Sequence, residues 1–197
     1  MRKTLLPLSL FVLSLILTFL SSPNFLFNNG IPFFAWICYI PALIALKKIP
    51  LKTVSAAGAL WGFLLFCLCC SWLYFYNFFA GLGVCLLMAV FYCLLFLSIK
   101  FIDIHLPEYS FLLNSIIFLL FEFLRTKGYL GFCYGQIVYS QWKMIPLVKT
   151  ARIFGVWRIS FLIYLTNFTL AEIIHDKKIK IHFKENQVKI LIFFTIK

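Results

Sequence analysis

Apolar residues run through this chain in blocks too long for the core of a soluble domain. No charged residue occurs from Thr4 to Leu46, or from Thr53 to Ile99. Each block is about twice the roughly 20 residues that one membrane-crossing helix needs, so each predicts two helices and a turn. Turn formers divide the first block at Ser21-Ser22-Pro23-Asn24 and around Asn28-Asn29-Gly30-Ile31-Pro32, since Pro and Gly are the strongest local breaks in a helical pattern. The helices expected there are about Leu5–Leu20 and Pro32–Leu46. The second block breaks near Tyr76-Asn77 and Gly81-Leu82-Gly83, giving about Val54–Phe75 and Val84–Lys100. Two more helices fit about Tyr109–Leu124 and Ile153–Ile174. From Val188 the chain turns apolar again, through Ile190-Leu191-Ile192-Phe193-Phe194, and stops at Lys197. Ten helical residues rise about 15 Å, half of a hydrocarbon core about 30 Å thick. The reading is all-α: a polytopic transmembrane helix bundle of about six complete spans plus an incomplete seventh, forming one membrane domain over 1–197.

Composition excludes the other classes. Of 197 residues, 63% are hydrophobic and 12% charged, with a mean hydropathy of +1.00. A soluble domain carries about 25% charged residues, and this chain has more apolar surface than a domain of its size can bury. Disordered chains are poor in aromatics, whereas this one has 25 Phe. The first apolar run follows Met1-Arg2-Lys3 but lacks a small-x-small cleavage pattern and leads directly into a second span, so it reads as a retained helix.

Charge then orients the bundle. Lys+Arg number 18 against 6 Asp+Glu, a net charge of +12. There is no polar face on which to build a nucleic-acid surface, and the cations lie between apolar runs, where they read as topology signals and lipid-headgroup contacts. With the amino terminus inside, Arg2/Lys3, Lys47/Lys48/Lys52, Lys100 and Lys177/Lys178/Lys180/Lys184 are cytoplasmic, and the charge-free loops near 21–31 and 76–83 are outside. The segment 125–152 then lies outside despite Arg125, Lys127, Lys143, Lys149 and Arg152. It reads as an interfacial loop of the outer face, dressed in Tyr and Phe, that holds anionic phospholipid.

Few residues offer chemistry. Glu122 and Arg125 stand at i and i+3 on one helical face near the outer end of the fifth helix, where they can pair. Two roles are open to them: a neutralised ion pair at the interface, or a polar clamp that orients the outer loop. His105, His175 and His182 fall in inner loops without metal-ligand spacing. Six of the seven cysteines lie in apolar runs and read as packing residues, with no disulfide framework. Cys133 lacks a nearby His and has no acid beyond Glu122, so it is not assigned as a nucleophile. No phosphate-cradling motif appears, and neither a metal nor a cofactor is expected.

At the outer loop the sequence resembles a known family. Glu122-Phe-Leu-Arg125, Gly131-Phe132, Tyr139-Ser140-Gln141, Pro146-Leu147, Gly155-Val156, Ser160-Phe-Leu162 and Asn167 resemble the amino-terminal membrane domain of bacterial apolipoprotein N-acyltransferase. There the stretch reads approximately E-[FW]-L-R, T-G-[FY]-P-W, Y-S-Q and G-V-x-x-x-[SN]-F-L. Upstream, Ser22-Pro23, Trp36–Leu46, Gly58-Ala-Leu-Trp-Gly62 and Ser71-Trp72-Leu-Tyr74 are similar in order and spacing. Departures are Cys133-Tyr134 in place of Pro-Trp, Thr126 where Gly often follows the Arg, Arg152 in place of an acid, and Arg158 in place of a small residue.

The resemblance implies a bacterial cytoplasmic (inner) membrane protein of lipoprotein biosynthesis, multi-pass with a cytoplasmic amino terminus. Family members move an acyl chain from phospholipid to the amino-terminal cysteine of an apolipoprotein. They use a Glu-Lys-Cys triad in a nitrilase-like domain that follows the seventh helix. No residue here matches that triad, so no catalytic residue is assigned. The expectation is a membrane domain truncated before the catalytic domain, inactive by itself, that binds lipid or docks a separate nitrilase-like chain. On this reading Glu122, Arg125, Gly131 and Phe132 position the loop, and Tyr139, Ser140 and Gln141 approach the lipid. The rival reading is a small substrate-binding or transport module, or a structural membrane partner.

Overall fold

The computed structural model describes residues 2–128 and 131–175, which fold into helices with no strand among them. In chain order the α-helices are α1 (Arg2–Ser21), α2 (Ile40–Lys48), α3 (Leu51–Cys69), α4 (Ser71–Tyr76), α5 (Phe78–His105), α6 (Ser110–Leu124), α7 (Ile145–Phe154) and α8 (Val156–His175). Short helices of the tighter 3-10 type span Pro32–Trp36, Pro107–Tyr109 and Ile137–Gln141. Among the described residues, three helical stretches are long and apolar enough to cross a membrane: Leu51–Cys69, Phe78–His105 and Pro107–Leu124. Leu5–Ser21 is a shorter apolar helix. The expected count of six complete spans is therefore not reached by length and composition, and the expected seventh helix from Val188 lies outside the described residues.

Four boundaries differ from the sequence reading, each for a local reason. The helix expected over Pro32–Leu46 is split into a 3-10 turn (Pro32–Trp36) and α2. Pro41 stands in the first turn of α2, where its missing amide is tolerated. The Ala35 carbonyl and Tyr39 amide, which a continuous helix would pair with each other, are taken up by Asn167 of α8. Asn167 Oδ1 accepts the Tyr39 amide at 2.9 Å and its Nδ2 donates to the Ala35 carbonyl at 2.9 Å. Broken helices at membrane depth persist where protein replaces the lost partners. The third helix ends at Cys69 rather than Phe75, with α4 beginning afresh at Ser71. The fourth starts at Phe78, because Asn77 caps it by accepting the Ala80 amide at 3.1 Å, and Gly81 and Gly83 lie inside it. Finally, the sixth helix is interrupted at Gly155, whose φ of +74° ends α7 before α8 begins.

Close helix approach holds the bundle together. Without an apolar solvent contrast between helices, membrane bundles associate where small residues let backbones meet. Gly58 and Gly62 of α3, one helical turn apart, supply this against α5. A Cβ at Gly58 would stand 2.5 Å from the Tyr92 carbonyl oxygen, and one at Gly62 would stand 2.6 Å from Tyr92 Cβ. Around this contact lies an aromatic core, with Trp61 on Tyr92 (5.1 Å between centroids), Tyr39 on Phe118 (4.7 Å) and Phe118 on Tyr164 (4.4 Å). Offset and tilted ring pairs at such spacings add about 0.5–1.5 kcal/mol each beyond area burial. α1 joins through Ser14, whose hydroxyl donates to the Cys38 carbonyl at 2.7 Å.

Candidate functional site

Helix α6 ends where the aromatic core meets the segment 125–152, and its last turn carries Glu122. That carboxylate is 5% exposed, so it requires partners. Its Oε1 accepts the Ile137 amide at 2.7 Å. Arg125, also 5% exposed, lies 3.9 Å from the same oxygen through Nη2 and donates from Nη1 to the Tyr134 carbonyl at 3.1 Å. Its guanidinium sits 5.3 Å from the centre of the Phe66 ring of α3. The two side chains form an ion pair, but it is not the shortest contact that either makes. The short bonds run from each charged group to the backbone of the segment 125–152, so the pair clamps residues 134–137 onto the bundle.

The remaining sequence candidates fall around this clamp. The Phe132 amide donates to the Arg125 carbonyl at 2.7 Å, and the Phe132 ring meets Phe66 edge-on at 6.3 Å. Gly131 is tightly hemmed: a Cβ there would lie 2.8 Å from the Thr126 carbonyl oxygen. Tyr139, Ser140 and Gln141 do not act as one lipid-facing group. Ser140 and Gln141 are fully buried, while Tyr139 is 46% exposed. Ser140 Oγ donates to the Ile137 carbonyl at 2.6 Å, and Gln141 Nε2 donates to the Pro32 carbonyl at 2.9 Å. Trp36 Nε1 donates to Gln141 Oε1 at 3.3 Å. The Gln141 amide thus braces the segment 125–152 against the 32–36 turn, and only Tyr139 of the three reaches the surface.

Beyond the clamp, α7 presents a mixed face. Leu147 and Ala151 pack inward one turn apart, while Ile145, Val148, Lys149, Arg152 and Ile153 are exposed. Apolar residues alternating with cations on an exposed helix face suit the boundary between headgroups and acyl chains. The exposed aromatics Trp142, Phe75, Tyr76 and Phe79 belong to the same end of the bundle, where rings with one wet edge are favoured.

Sequence reasoning missed a second polar network, at the opposite end of α6. Glu172 of α8 forms an ion pair with Lys47 and accepts the Ser110 hydroxyl at 2.8 Å. Lys100 donates to the Leu46 carbonyl at 2.8 Å, and Asn114 Nδ2 donates to Asp103 Oδ1 at 2.7 Å. Lys47 and Lys100 read as topology signals in the sequence, yet both are consumed in holding helix ends. Asn167 carried a signal, as a lone amide in an apolar run, but its partners are distant in sequence. Among the described residues no group of His, Cys, Asp and Glu is placed to hold a metal ion. Cys133 is exposed.

Comparison with known proteins agrees with this architecture. The family described as the apolipoprotein N-acyltransferase N-terminal domain matches residues 14–169. Apolipoprotein N-acyltransferase 1 of Treponema denticola is 36% identical over 182 residues, which cover 92% of this chain and 32% of that protein. Apolipoprotein N-acyltransferase 1 of Treponema pallidum is 30% identical over 154 residues, 78% of this chain and 28% of that protein. The apolipoprotein N-acyltransferase of Borreliella burgdorferi is 26% identical over 168 residues. The chain thus spans about a third of the length of these relatives. With the matched residues running from the middle of α1 to the last turns of α8, the chain belongs to the family of the apolipoprotein N-acyltransferase N-terminal domain.

Proposed function

We propose that this chain is the membrane part of an apolipoprotein N-acyltransferase, holding donor phospholipid for acyl transfer to the amino-terminal cysteine of an apolipoprotein. The observation that carries the reading is the Glu122–Arg125 clamp. By fixing the Tyr134 carbonyl and the Ile137 amide, it sets the exposed Tyr139, Trp142 and cationic α7 at one end of the bundle. Lys149 and Arg152 attract the phosphate of an anionic headgroup, while Ile145, Val148 and Ile153 enter the acyl region. On this reading that end faces away from the cytoplasm of a bacterial inner membrane, the amino terminus is cytoplasmic, and 125–152 is the outer interfacial segment.

The chemical step is assigned elsewhere. Covalent acyl transfer needs an activated nucleophile, and among the described residues no cysteine is hydrogen-bonded to a glutamate or a lysine. The thiolate that carries the acyl group therefore belongs to a nitrilase-like domain, whether on the same or a separate chain. These 197 residues are inactive without it.

The test is acylation in cells depleted of their own apolipoprotein N-acyltransferase, read by mass spectrometry of a model lipoprotein. This chain is expressed alone and beside a nitrilase-like domain. Acylation only in the second case is expected. Acylation by the chain alone overturns the assignment of chemistry to another domain, and no acylation in either case overturns the reading as a working acyltransferase part.

A further inference from the structure

Four of the seven cysteines gather where α3, α4 and α5 meet, and two of them are in contact. Cys67 Sγ of α3 lies 3.6 Å from Cys85 Sγ of α5. Tyr74 of α4 joins both: its hydroxyl donates to Cys85 Sγ at 3.1 Å and stands 3.5 Å from Cys67 Sγ. Cys85 is fully buried and Cys67 partly exposed. In sequence both looked like packing residues, because the two lie 18 positions apart with no motif joining them.

We propose that Cys67 and Cys85 are a redox pair that closes to an interhelical disulfide by exchange with an external disulfide. A disulfide bond is about 2.05 Å long, so the sulfurs must approach by about 1.5 Å. That distance is within reach of side-chain rotation, since the helices are already held together by the Gly58 and Gly62 contacts. The accessibilities assign the roles. Cys67, the reachable thiol, attacks one sulfur of an external disulfide, forming a mixed disulfide and releasing one thiol, which keeps the proton. Cys85 then attacks the Cys67 sulfur, the protein disulfide forms, and the second external thiol leaves with the second proton. Two electrons have passed from the cysteine pair to the external disulfide, which is reduced to two thiols.

Tyr74 is a positioning residue in this exchange. Its hydroxyl, aimed at Cys85 Sγ, stabilises the thiolate during the second attack, as hydrogen-bond donors do for developing anions. Closure changes the contact that holds α4 as well, because the Tyr74 hydroxyl forms a triangle with the two sulfurs, 3.1 Å from one and 3.5 Å from the other. α4 carries the exposed Trp72, Phe75 and Tyr76, so oxidation sets the position of aromatics that meet the membrane surface. The pairing is independent of the acyltransferase reading, since it rests on geometry within α3, α4 and α5.

The experiment uses the full chain in lipid nanodiscs, treated with oxidised glutathione, quenched with N-ethylmaleimide and digested for mass spectrometry. The expected product is a peptide pair linked through Cys67 and Cys85. In Cys85→Ser the expected product is a glutathione adduct stalled on Cys67. Tyr74→Phe should slow closure about fivefold, the worth of one hydrogen bond of about 1 kcal/mol, without changing formation of the first adduct. The proposal is overturned if both thiols of the native chain remain open to maleimide after oxidation. It is equally overturned if Cys67 bridges to Cys69, Cys70 or Cys133 instead.

Discussion

The carboxylate of Glu122 and the backbone amide of Ile137, 15 residues apart in sequence, meet at 2.7 Å in the interior of the bundle. This contact converts the polar, glycine-bearing stretch after α6 from a loose connection into a fixed surface. A charge-assisted bond to a backbone amide is stronger than a neutral one, and here it is buried. The Arg125 guanidinium beside it fixes the Tyr134 carbonyl, so two charged side chains three residues apart determine the path of the segment that follows α6.

Removing the carboxylate should be more damaging than neutralising it. Glu122→Ala leaves the Ile137 amide unpaired and the Arg125 charge buried without its counterion, and breaking a buried pair in this way costs about 3–5 kcal/mol. Glu122→Gln keeps an acceptor for Ile137 and should lose less. Thermal unfolding in detergent, with hydrogen exchange of residues 131–142, should show faster exchange in the alanine variant than in the glutamine variant. Equal exchange in the two would contradict the clamp.

Asn167 should prove necessary for the broken helix at residues 37–39. Asn167→Leu removes the acceptor for the Tyr39 amide and the donor to the Ala35 carbonyl. Each buried backbone group left without a partner costs about 1–3 kcal/mol. The expected outcome is a lowered unfolding temperature, with exchange rising at Tyr39 before it rises in α5. Asn167→Asp preserves the acceptor and should protect the Tyr39 amide.

The glycines of α3 and α5 should differ sharply in tolerance. Gly62→Ala drives a Cβ to within 2.6 Å of Tyr92 Cβ, and overpacking of this kind costs about 1–3 kcal/mol. Gly83→Ala meets nothing within 4 Å and lies inside α5, where alanine gains up to about 1 kcal/mol of helix propensity. Paired unfolding measurements should therefore move in opposite directions.

Charge on α7 should govern lipid preference. The double variant Lys149→Gln, Arg152→Gln removes two cations worth about 1 kcal/mol each near an anionic surface. Native mass spectrometry of the chain released from mixed nanodiscs should show retained anionic phospholipid falling towards the level of the zwitterionic lipid. The wild-type preference should itself weaken as salt rises.

Much of the fold was legible because charge-free blocks and turn formers report helices directly. Glu122 and Arg125 were also legible, since ionisable residues beside an apolar run must find partners. What stayed hidden was pairing at a distance. Nothing in the local pattern shows that Asn167 serves the backbone at 35 and 39, or that Gln141 reaches Pro32. The same holds for Glu172, which takes Lys47 and Ser110 together. Burial of Ser140 and Gln141 was hidden too, because polar residues in a polar stretch read as surface until the chain is seen to fold back on itself. The break at Asn77 rather than at Gly81 and Gly83 shows one further limit. A capping side chain outranks glycines that the helix can simply absorb.

The central claim of the proposed function is that the clamped segment after α6, together with α7, forms the phospholipid contact of this membrane domain. Its most direct test is photocrosslinking with a phospholipid carrying a photoactivatable acyl chain, with the labelled residues mapped by mass spectrometry in the wild type and in Arg125→Ala. The account predicts labelling concentrated between 131 and 153 in the wild type, and loss of that concentration in the variant while labelling elsewhere on the helices persists. Even labelling around the bundle, or an unchanged pattern in Arg125→Ala, would contradict it.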